Sequence, residues 1–191
     1  MVTMLSDSEK QILFDIARRS IESAVKRSRG KLPTQIPPAL MDRCGAFVTL
    51  RIHGELRGCI GYIDGIHPLY ETVHEVAAKA AMEDYRFEPL TADEMTDLEI
   101  EISVLSPRRE IHDFHEIEIG THGLIVELGN HRALLLPQVS TEQGWDKETF
   151  VKNTVRKAGL PSTMWQHPDI RLFIFTAEVL QQDTPAHHSR I

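Results

Sequence analysis

The 191-residue chain is 41% hydrophobic and 26% charged, which is typical of a folded globular protein rather than a disordered one. Its formal net charge of −7 argues against a general nucleic-acid binder, because such proteins need a clustered excess of Lys and Arg. The sequence shows no apolar run of membrane-spanning length and no signal-peptide pattern, so we expect a cytoplasmic protein whose two cysteines, Cys44 and Cys59, are reduced.

Helix signals come first along the chain and strand signals follow. Ser6-x-x-Glu9 is a capping-box pattern, and apolar residues follow it at helical spacing, so we predict a helix from about Asp7 to Arg27. The prolines between positions 33 and 38 predict an irregular connection. Two β-rich runs around His53-Gly54 then predict a hairpin.

The register of this hairpin decides which side chains share a face with Cys59. A two-residue turn at His53-Gly54 would mix apolar and charged side chains on one surface, whereas a three-residue loop over residues 53–55 gives one apolar face. We therefore predict the second register, which pairs Ile52 with Leu56, Leu50 with Gly58 and Val48 with Ile60. The opposite face then carries Thr49, Arg51, Arg57 and Cys59.

A second helix is predicted to begin with Pro68 at its first position and to pack through a stripe of Leu, Val and Ala. Thr91-x-x-Glu94 is another capping-box pattern, which predicts a short turn. The run at residues 98–105 follows it, and its apolar residues alternate with acids as in a strand with one buried face.

The remaining elements include a hairpin, a helix and a strand. We predict the hairpin at Gly123 to Leu128 and Arg132 to Leu136. Asp146 is a good N-cap for a helix that ends at Gly159. The apolar run 170–180 predicts one strand inside a sheet.

These elements predict an α+β fold with mainly antiparallel or mixed sheet packed with helices. We expect one domain over residues 1–191. Its main lobe comprises about residues 5–105 and 140–180, and a smaller lobe comprises about residues 106–139. The tail 182–191 is expected to be loose.

Cys59 is the first candidate for chemistry, because cationic neighbours favour the reactive thiolate and Arg57 is predicted on the same strand face, about 7 Å away. Gly58 and Gly61 remove side chains beside the sulfur, which would let a ligand approach closely. The alternative is structural, since free cysteine is often buried and the glycines would also admit a closely packed helix.

His122 lies between glycines in a predicted tight turn and is a candidate general base, although a bond to local backbone is the simpler use of such a residue. Asp84 and Arg86 either grip a polar substrate or pair with each other at a helix exit. Glu142 and Gln143 precede a helix N-terminus, which favours anions.

Metal and nucleotide motifs give no further guidance. His112, His115 and His131 match no ligand spacing and are better explained as residues of a solvated loop, so we predict no metal site. The sequence also has no P-loop, no G-x-G-x-x-G and no G-x-S-x-G motif.

An ordered set of motifs resembles the AMMECR family, named for the AMME syndrome chromosomal region. The motifs are LRGCIG at 56–61, EDYRFEPLTADEM at 83–95, EISVLSP at 101–107, IGTHGLIV at 119–126, and LLPQVSTEQGWDKETF followed by RKAGLP. The resemblance covers about residues 47–180. It implies two unequal α/β lobes that border a cleft, and a biochemical activity that is not established.

The resemblance also implies a set of motif residues and partners. The matching positions are Arg57, Gly58, Cys59, Gly61, Asp84, Arg86, Phe87, His122, Gly123, Glu142, Gln143, Gly144, Trp145 and Asp146. Tyr85 departs from the Pro or Ser that many members carry there. Family neighbourhoods imply Memo-like or radical S-adenosylmethionine proteins as partners, which must act in trans because this chain has no Memo-like portion.

Two hypotheses follow for function. In the first, the protein has a ligand-binding or catalytic cleft around LRGCIG and performs thiol-dependent small-molecule or modification chemistry; Cys59 is the nucleophile or redox thiol, Arg57 stabilises an anion and His122 transfers a proton. Gly58, Gly61, Asp84, Arg86, Glu142 and Gln143 then contact the ligand. In the second, the protein is a non-catalytic adaptor or regulatory protein in which Cys59 is structural. The cofactor remains unknown under both.

Overall fold

The computed structural model describes residues 4–28, 30 and 32–182, so most of the tail that we expected to be loose lies outside the described residues. The chain divides into two compact units. Within the described part, the first unit comprises residues 4–104 and 178–182, and the second unit comprises residues 105–177. Residues 140–177 therefore group with the segment 105–139, and not with the N-terminal segment as we expected from sequence.

The first unit is a sheet with two helices on one face. Its sheet has the strand order β2-β1-β3-β8. The elements are α1 (Asp7–Val25), β1 (Ala46–Ile52), β2 (Glu55–Tyr62), α2 (Leu69–Met82), β3 (Leu98–Leu105) and β8 (Ala177–Gln181). Short 3-10 turns occur at Pro38–Met41 and Asp93–Thr96. Strands β1 and β2, and β1 and β3, are antiparallel.

Local signals placed the ends of the first helix well. The capping box between Ser6 and Glu9 is present in both directions, and it fixes the start of α1. We predicted Pro68 as the first helical residue of α2, but it is the N-cap residue, and the helix begins at Leu69. The helices pack on the sheet through a core that includes Leu13, Ile16, Val73, Ala77, Val48, Leu50 and Ile102.

The β1–β2 hairpin combines features of both registers considered from sequence. Its inner part follows the predicted pairing of Leu50 with Gly58 and Val48 with Ile60. The predicted pairing of Ile52 with Leu56 is wrong, because Ile52 pairs with Glu55 across a two-residue turn in which His53 and Gly54 have φ of 51° and 79°. A shift beyond Leu50 reconciles the two parts and leaves Arg57 unpaired as a β-bulge.

The second unit is a second sheet, of order β4-β7-β5-β6, packed against α4. The elements are β4 (Arg109–Ile111), β5 (Gly123–Leu128), β6 (His131–Leu135), α3 (Pro137–Glu142), α4 (Lys147–Lys157) and β7 (Arg171–Phe175). The pairs β4–β7, β5–β7 and β5–β6 are antiparallel. Short 3-10 turns occur at Phe114–Glu116 and Ser162–Gln166. The predicted hairpin is present, with its second strand one residue earlier than expected.

Helix α4 has the predicted ends. Asp146 accepts a hydrogen bond from the Thr149 N–H, and Gly159 has the left-handed φ of 78° that ends many helices. The prediction of one strand over residues 170–180 is wrong, because β7 belongs to the second sheet and β8 belongs to the first. Thr176 separates the two strands. Its carbonyl oxygen accepts a hydrogen bond from the Ser106 N–H, and its own N–H donates to the Ser106 hydroxyl.

Candidate functional site

The candidate site lies on the face of the first sheet that points away from α1 and α2. Because side chains alternate along a strand, Val48 and Leu50 enter the helical core while Phe47 and Thr49 point to the other face. Thr49 pairs with Cys59 on one side and with Glu101 on the other. This face therefore places a thiol, a hydroxyl and a carboxylate side by side.

Cys59 is held by hydrogen bonds at three points. The Thr49 hydroxyl donates to its sulfur at 3.3 Å. The Cys59 N–H donates to a carboxylate oxygen of Asp84 at 2.8 Å, and its carbonyl oxygen accepts from the Arg86 guanidinium at 3.3 Å. The side chain itself is of intermediate exposure. The thiol is therefore fixed in position without being fully enclosed.

Asp84 and Arg86 bind the open edge of β2, which is the outer strand of its sheet. Asp84 is 5% exposed and accepts two guanidinium hydrogen bonds from Arg86, at 2.9 and 2.6 Å. These bonds are the largest reason why the pKa of Asp84 falls from 3.8 to about 2, although burial opposes them. The pair thus takes the place of a neighbouring strand, which protects an edge that would otherwise expose unpaired backbone groups.

Arg57 is not positioned as the sequence predicted. The bulge directs its guanidinium to Glu94, which accepts two bonds at 2.7 and 3.1 Å, and to the Glu88 carbonyl at 2.7 Å. This pairing lowers the pKa of Glu94 from 4.5 to about 2. Arg57 therefore fastens the segment 88–94 to β2, and the guanidinium that touches Cys59 is that of Arg86.

Both glycines of the LRGCIG motif have a packing explanation. A side chain at Gly58 would collide with the carbonyl oxygen of Ala80 in α2. A side chain at Gly61 would collide with the ring of Phe47, which lies across it. At these two positions, the space that we expected a ligand to enter is therefore filled by the protein's own helix carbonyl and aromatic ring.

One further residue, Ser103, distinguishes the Cys59 face from ordinary surface. Ser103 lies on this face beside Phe47, is 1% exposed, and its hydroxyl has no hydrogen-bond partner among the described residues. Such a buried orphan is unusual in native proteins. Cys44, in contrast, has a pKa raised to about 11, chiefly by burial and secondarily by the charge of Asp42.

The other predicted site residues lie in the second unit. His122 accepts a bond from the Glu118 N–H at 3.1 Å, which is the local backbone bond considered from sequence. Its proton transfer to Cys59 remains a prediction. Glu142 and Gln143 are exposed at the end of α3, and Trp145 packs against the core of the second unit.

The histidines first considered as metal ligands make separate contacts. The ring of His115 stacks on Phe114, and His131 bonds to the Ala158 carbonyl. Within residues 4–28, 30 and 32–182, no three His, Cys, Asp or Glu side chains are grouped so that they could hold a metal ion. Over the same residues, no helix has the length and apolar character needed to cross a bilayer.

Sequence reasoning missed the pairing of Glu94 with Arg57 and the contact of Asp84 with the Cys59 backbone. The capping-box pattern did identify Glu94 as a bonding carboxylate, and Glu94 does accept the Thr91 N–H at 2.8 Å. Its second partner, Arg57, lies 37 positions away. No local pattern marks a contact at that separation.

The fold and the site define a two-unit α+β protein in which Asp84 and Arg86 bind the backbone of a cysteine-bearing edge strand. The chain belongs to the AMMECR1 family, whose model matches residues 14–180, and the resemblance seen in the sequence is thereby confirmed. It is 42% identical to a protein of Methanothermobacter thermautotrophicus over 94% of this chain and 97% of that one. It is also 40% identical to Protein PH0010 of Pyrococcus horikoshii, over 97% of this chain and 95% of that one.

A solved structure shares the fold. The crystal structure of the uncharacterized protein PH0010 from Pyrococcus horikoshii matches with a TM-score of 0.89 and 39% sequence identity, over 95% of each chain. The comparisons therefore establish family and fold, and function has to be argued from the site.

Proposed function

We propose that the sheet face around Cys59 binds a small polar ligand, with the Cys59 thiol as the group that contacts or reacts with it. The observation that carries this proposal is the hydrogen bond from the Thr49 hydroxyl to the Cys59 sulfur, on a strand whose backbone Asp84 and Arg86 hold in place. The two backbone bonds would form with any residue at position 59, but the bond to sulfur needs the thiol, and a cysteine that only fills space does not need it.

The chemistry of the neighbours supports a reactive thiol. The Thr49 hydroxyl donates to sulfur, and a sulfur anion accepts such a bond more strongly than a neutral thiol does. The Arg86 side chain is 44% exposed, so its guanidinium keeps surface available for a ligand anion while it holds the Cys59 carbonyl. The orphan hydroxyl of Ser103 is a second polar group on the same face.

The test is the rate of alkylation by iodoacetamide in the native protein at pH 7.5, followed site by site by mass spectrometry. Cys44 serves as an internal control, because burial raises its pKa to about 11 and keeps it protonated. We expect Cys59 to be labelled in the folded protein at least about tenfold faster than Cys44. Labelling of Cys59 only after unfolding would refute the proposal.

A Cys44→Ala variant removes the second thiol and allows the Cys59 rate to be measured alone. In that background, Arg86→Lys keeps the positive charge but loses the planar fork that binds Asp84 and the Cys59 carbonyl. We expect the alkylation rate of Cys59 to change in this variant. The same rate should stay unchanged in Arg19→Lys, at an exposed position of α1.

The second candidate function is that of a non-catalytic adaptor, and specific observations favour it. Arg57 and Gly58 are already used by internal packing, and Tyr85 is 95% exposed beside the site, as suits contact with a protein partner. Partners of the Memo-like or radical S-adenosylmethionine kind would then bind in trans. This function predicts an unreactive Cys59, and a Tyr85→Ala variant that folds normally but loses binding to such a protein in a pairwise assay.

A further inference from the structure

The second unit contains a cavity that is separate from the Cys59 face. It has a volume of about 300 Å³ and lies between the end of β4, the turn at Phe114–Glu116 and the segment 165–172. Its lining includes Ile111, Phe114, Trp165, His167 and Leu172. This volume is at the lower end of the range for small-molecule sites, which is about 300–1,000 Å³.

One wall of the cavity is apolar and aromatic, and polar side chains make up much of the remaining lining. Ile111 and Leu172 are 3% and 8% exposed and belong to the core of the unit. The rings of Phe114 and Trp165 meet edge to face at 5.3 Å, with an angle of 76° between their planes. This contact fixes both rings, which are each partly buried against the same core. A rigid aromatic wall over an apolar floor suits a flat ring.

The rim of the cavity supplies a directed hydrogen bond. The Nδ1 atom of His167 accepts a bond from the Asp169 N–H at 3.2 Å. In the neutral imidazole the proton must then lie on Nε2, which becomes a donor. The His167 side chain lines the cavity and is 35% exposed, so a ligand that carries a ring nitrogen or a carbonyl oxygen can approach it. Gln166 adds an exposed amide to the same rim.

The charges of the lining argue against an anionic ligand. Glu110 and Asp113 both contribute to the cavity. Arg171 binds both carboxylate oxygens of Glu110, at 2.8 and 2.9 Å, and so compensates that charge. The Asp113 carboxylate accepts a hydrogen bond from the His115 N–H, and no ion pair is seen at this carboxylate among the described residues. His112 also lines the cavity, and the Lys147 ammonium binds the nearby His115 carbonyl. The two carboxylates in the lining therefore favour an uncharged ligand over a phosphate or a carboxylate.

We propose that this cavity binds an uncharged planar nitrogen heterocycle of nucleobase size, stacked against Trp165 and hydrogen-bonded by His167. The aromatic wall selects a flat ring, the His167 Nε2–H selects an acceptor on that ring, and Asp113 disfavours a phosphate. The site and the Cys59 face share no residue, so either can fail without the other.

The experiment uses the intrinsic fluorescence of Trp165. The chain has two tryptophans, Trp145 and Trp165, and a Trp145→Phe variant leaves only the reporter in the cavity. Adenosine, uridine and adenosine monophosphate are titrated with excitation at 295 nm. We expect saturable quenching by at least one nucleoside and weaker binding of the monophosphate than of adenosine.

A His167→Ala variant tests the hydrogen bond. We expect its dissociation constant to rise about three- to tenfold, the usual cost of one neutral hydrogen bond. Phe175→Leu, outside the cavity lining, is the packing control, and circular dichroism checks that each variant is folded. Absence of saturable quenching up to millimolar nucleoside, or equal affinity of the folded His167→Ala variant, would overturn the proposal. Tighter binding of the monophosphate would also overturn it.

Discussion

Replacement of Asp84 by Asn removes one charge from the Asp84–Arg86 pair that binds the edge of β2, and it changes the size of the side chain very little. The buried carboxylate accepts hydrogen bonds from the Arg86 guanidinium, the Arg86 N–H and the Cys59 N–H. Asn keeps an oxygen for one backbone bond but cannot form the ion pair. We therefore expect Asp84→Asn to destabilise the fold and to loosen the strand at Cys59.

The magnitude follows from the pKa of Asp84. Its fall from an ordinary 3.8 to about 2 means that the folded protein prefers the charged form by about 2 kcal/mol, since a tenfold ratio corresponds to about 1.4 kcal/mol. Asp84 is 5% exposed, but its partner Arg86 is 44% exposed, so solvent screens part of this preference. We expect the free energy of unfolding at pH 7 to fall by about 1–2 kcal/mol.

The sign of the pH dependence is also fixed. The pKa is lower in the folded state than in the unfolded state, so the stabilisation is complete above the unfolded value of 3.8 and is lost as the pH falls through about 2. Urea unfolding of the parent protein should therefore show stability declining from about pH 5 to pH 2. In Asp84→Asn this decline should be shallower by the contribution of Asp84.

The matched control is Asp93→Asn, at an exposed aspartate in the 3-10 turn Asp93–Thr96. We expect it to change the free energy of unfolding by less than about 0.5 kcal/mol. Equal stability of Asp84→Asn and the parent protein at pH 7 would refute the reasoning. So would an equal loss in Asp93→Asn, because the effect would then be general rather than due to the buried pair.

Three further variants test neighbouring contacts. Glu94→Gln should lower the free energy of unfolding at pH 7 by at most about 1 kcal/mol, because the carboxylate is 29% exposed and screened, and a larger loss in urea unfolding would contradict this. Gly58→Ala should lower it by about 1–3 kcal/mol, since the added methyl meets a helix carbonyl, and an unchanged melting temperature would exclude that collision. Thr49→Val should slow alkylation of Cys59 about three- to tenfold, and an unchanged rate would show that the hydroxyl does not act on the sulfur.

Local sequence signals predicted helix ends and turns because their causes are local. The Ser6 cap, the Asp146 cap and the left-handed Gly159 each depend on atoms within a few residues. The inner register of the hairpin was also predictable, since it puts Leu50 and Val48 in the core. Alternation of apolar residues is enough to specify such a face.

The bulge and the strand division were not predictable in the same way. Alternation across β2 is compatible with a regular strand until Arg57 is seen to pair with Glu94, and that contact spans 37 positions. Without the bulge, strand spacing places Arg57 beside Cys59, which produced the wrong assignment of its guanidinium. The run 170–180 is apolar on both sides of Thr176, so hydrophobicity alone does not mark the change of sheet.

The insertion of the second unit between β3 and β8 has a consequence for synthesis. These strands are neighbours in one sheet, yet the whole segment 106–176 lies between them in the chain. On the ribosome, β3 is made long before its partner, and its outer edge stays without a strand until residue 181 has left the exit tunnel. The first unit therefore completes its sheet only after the second has been translated, and a nascent chain that stalls in the second unit exposes an edge open to aggregation.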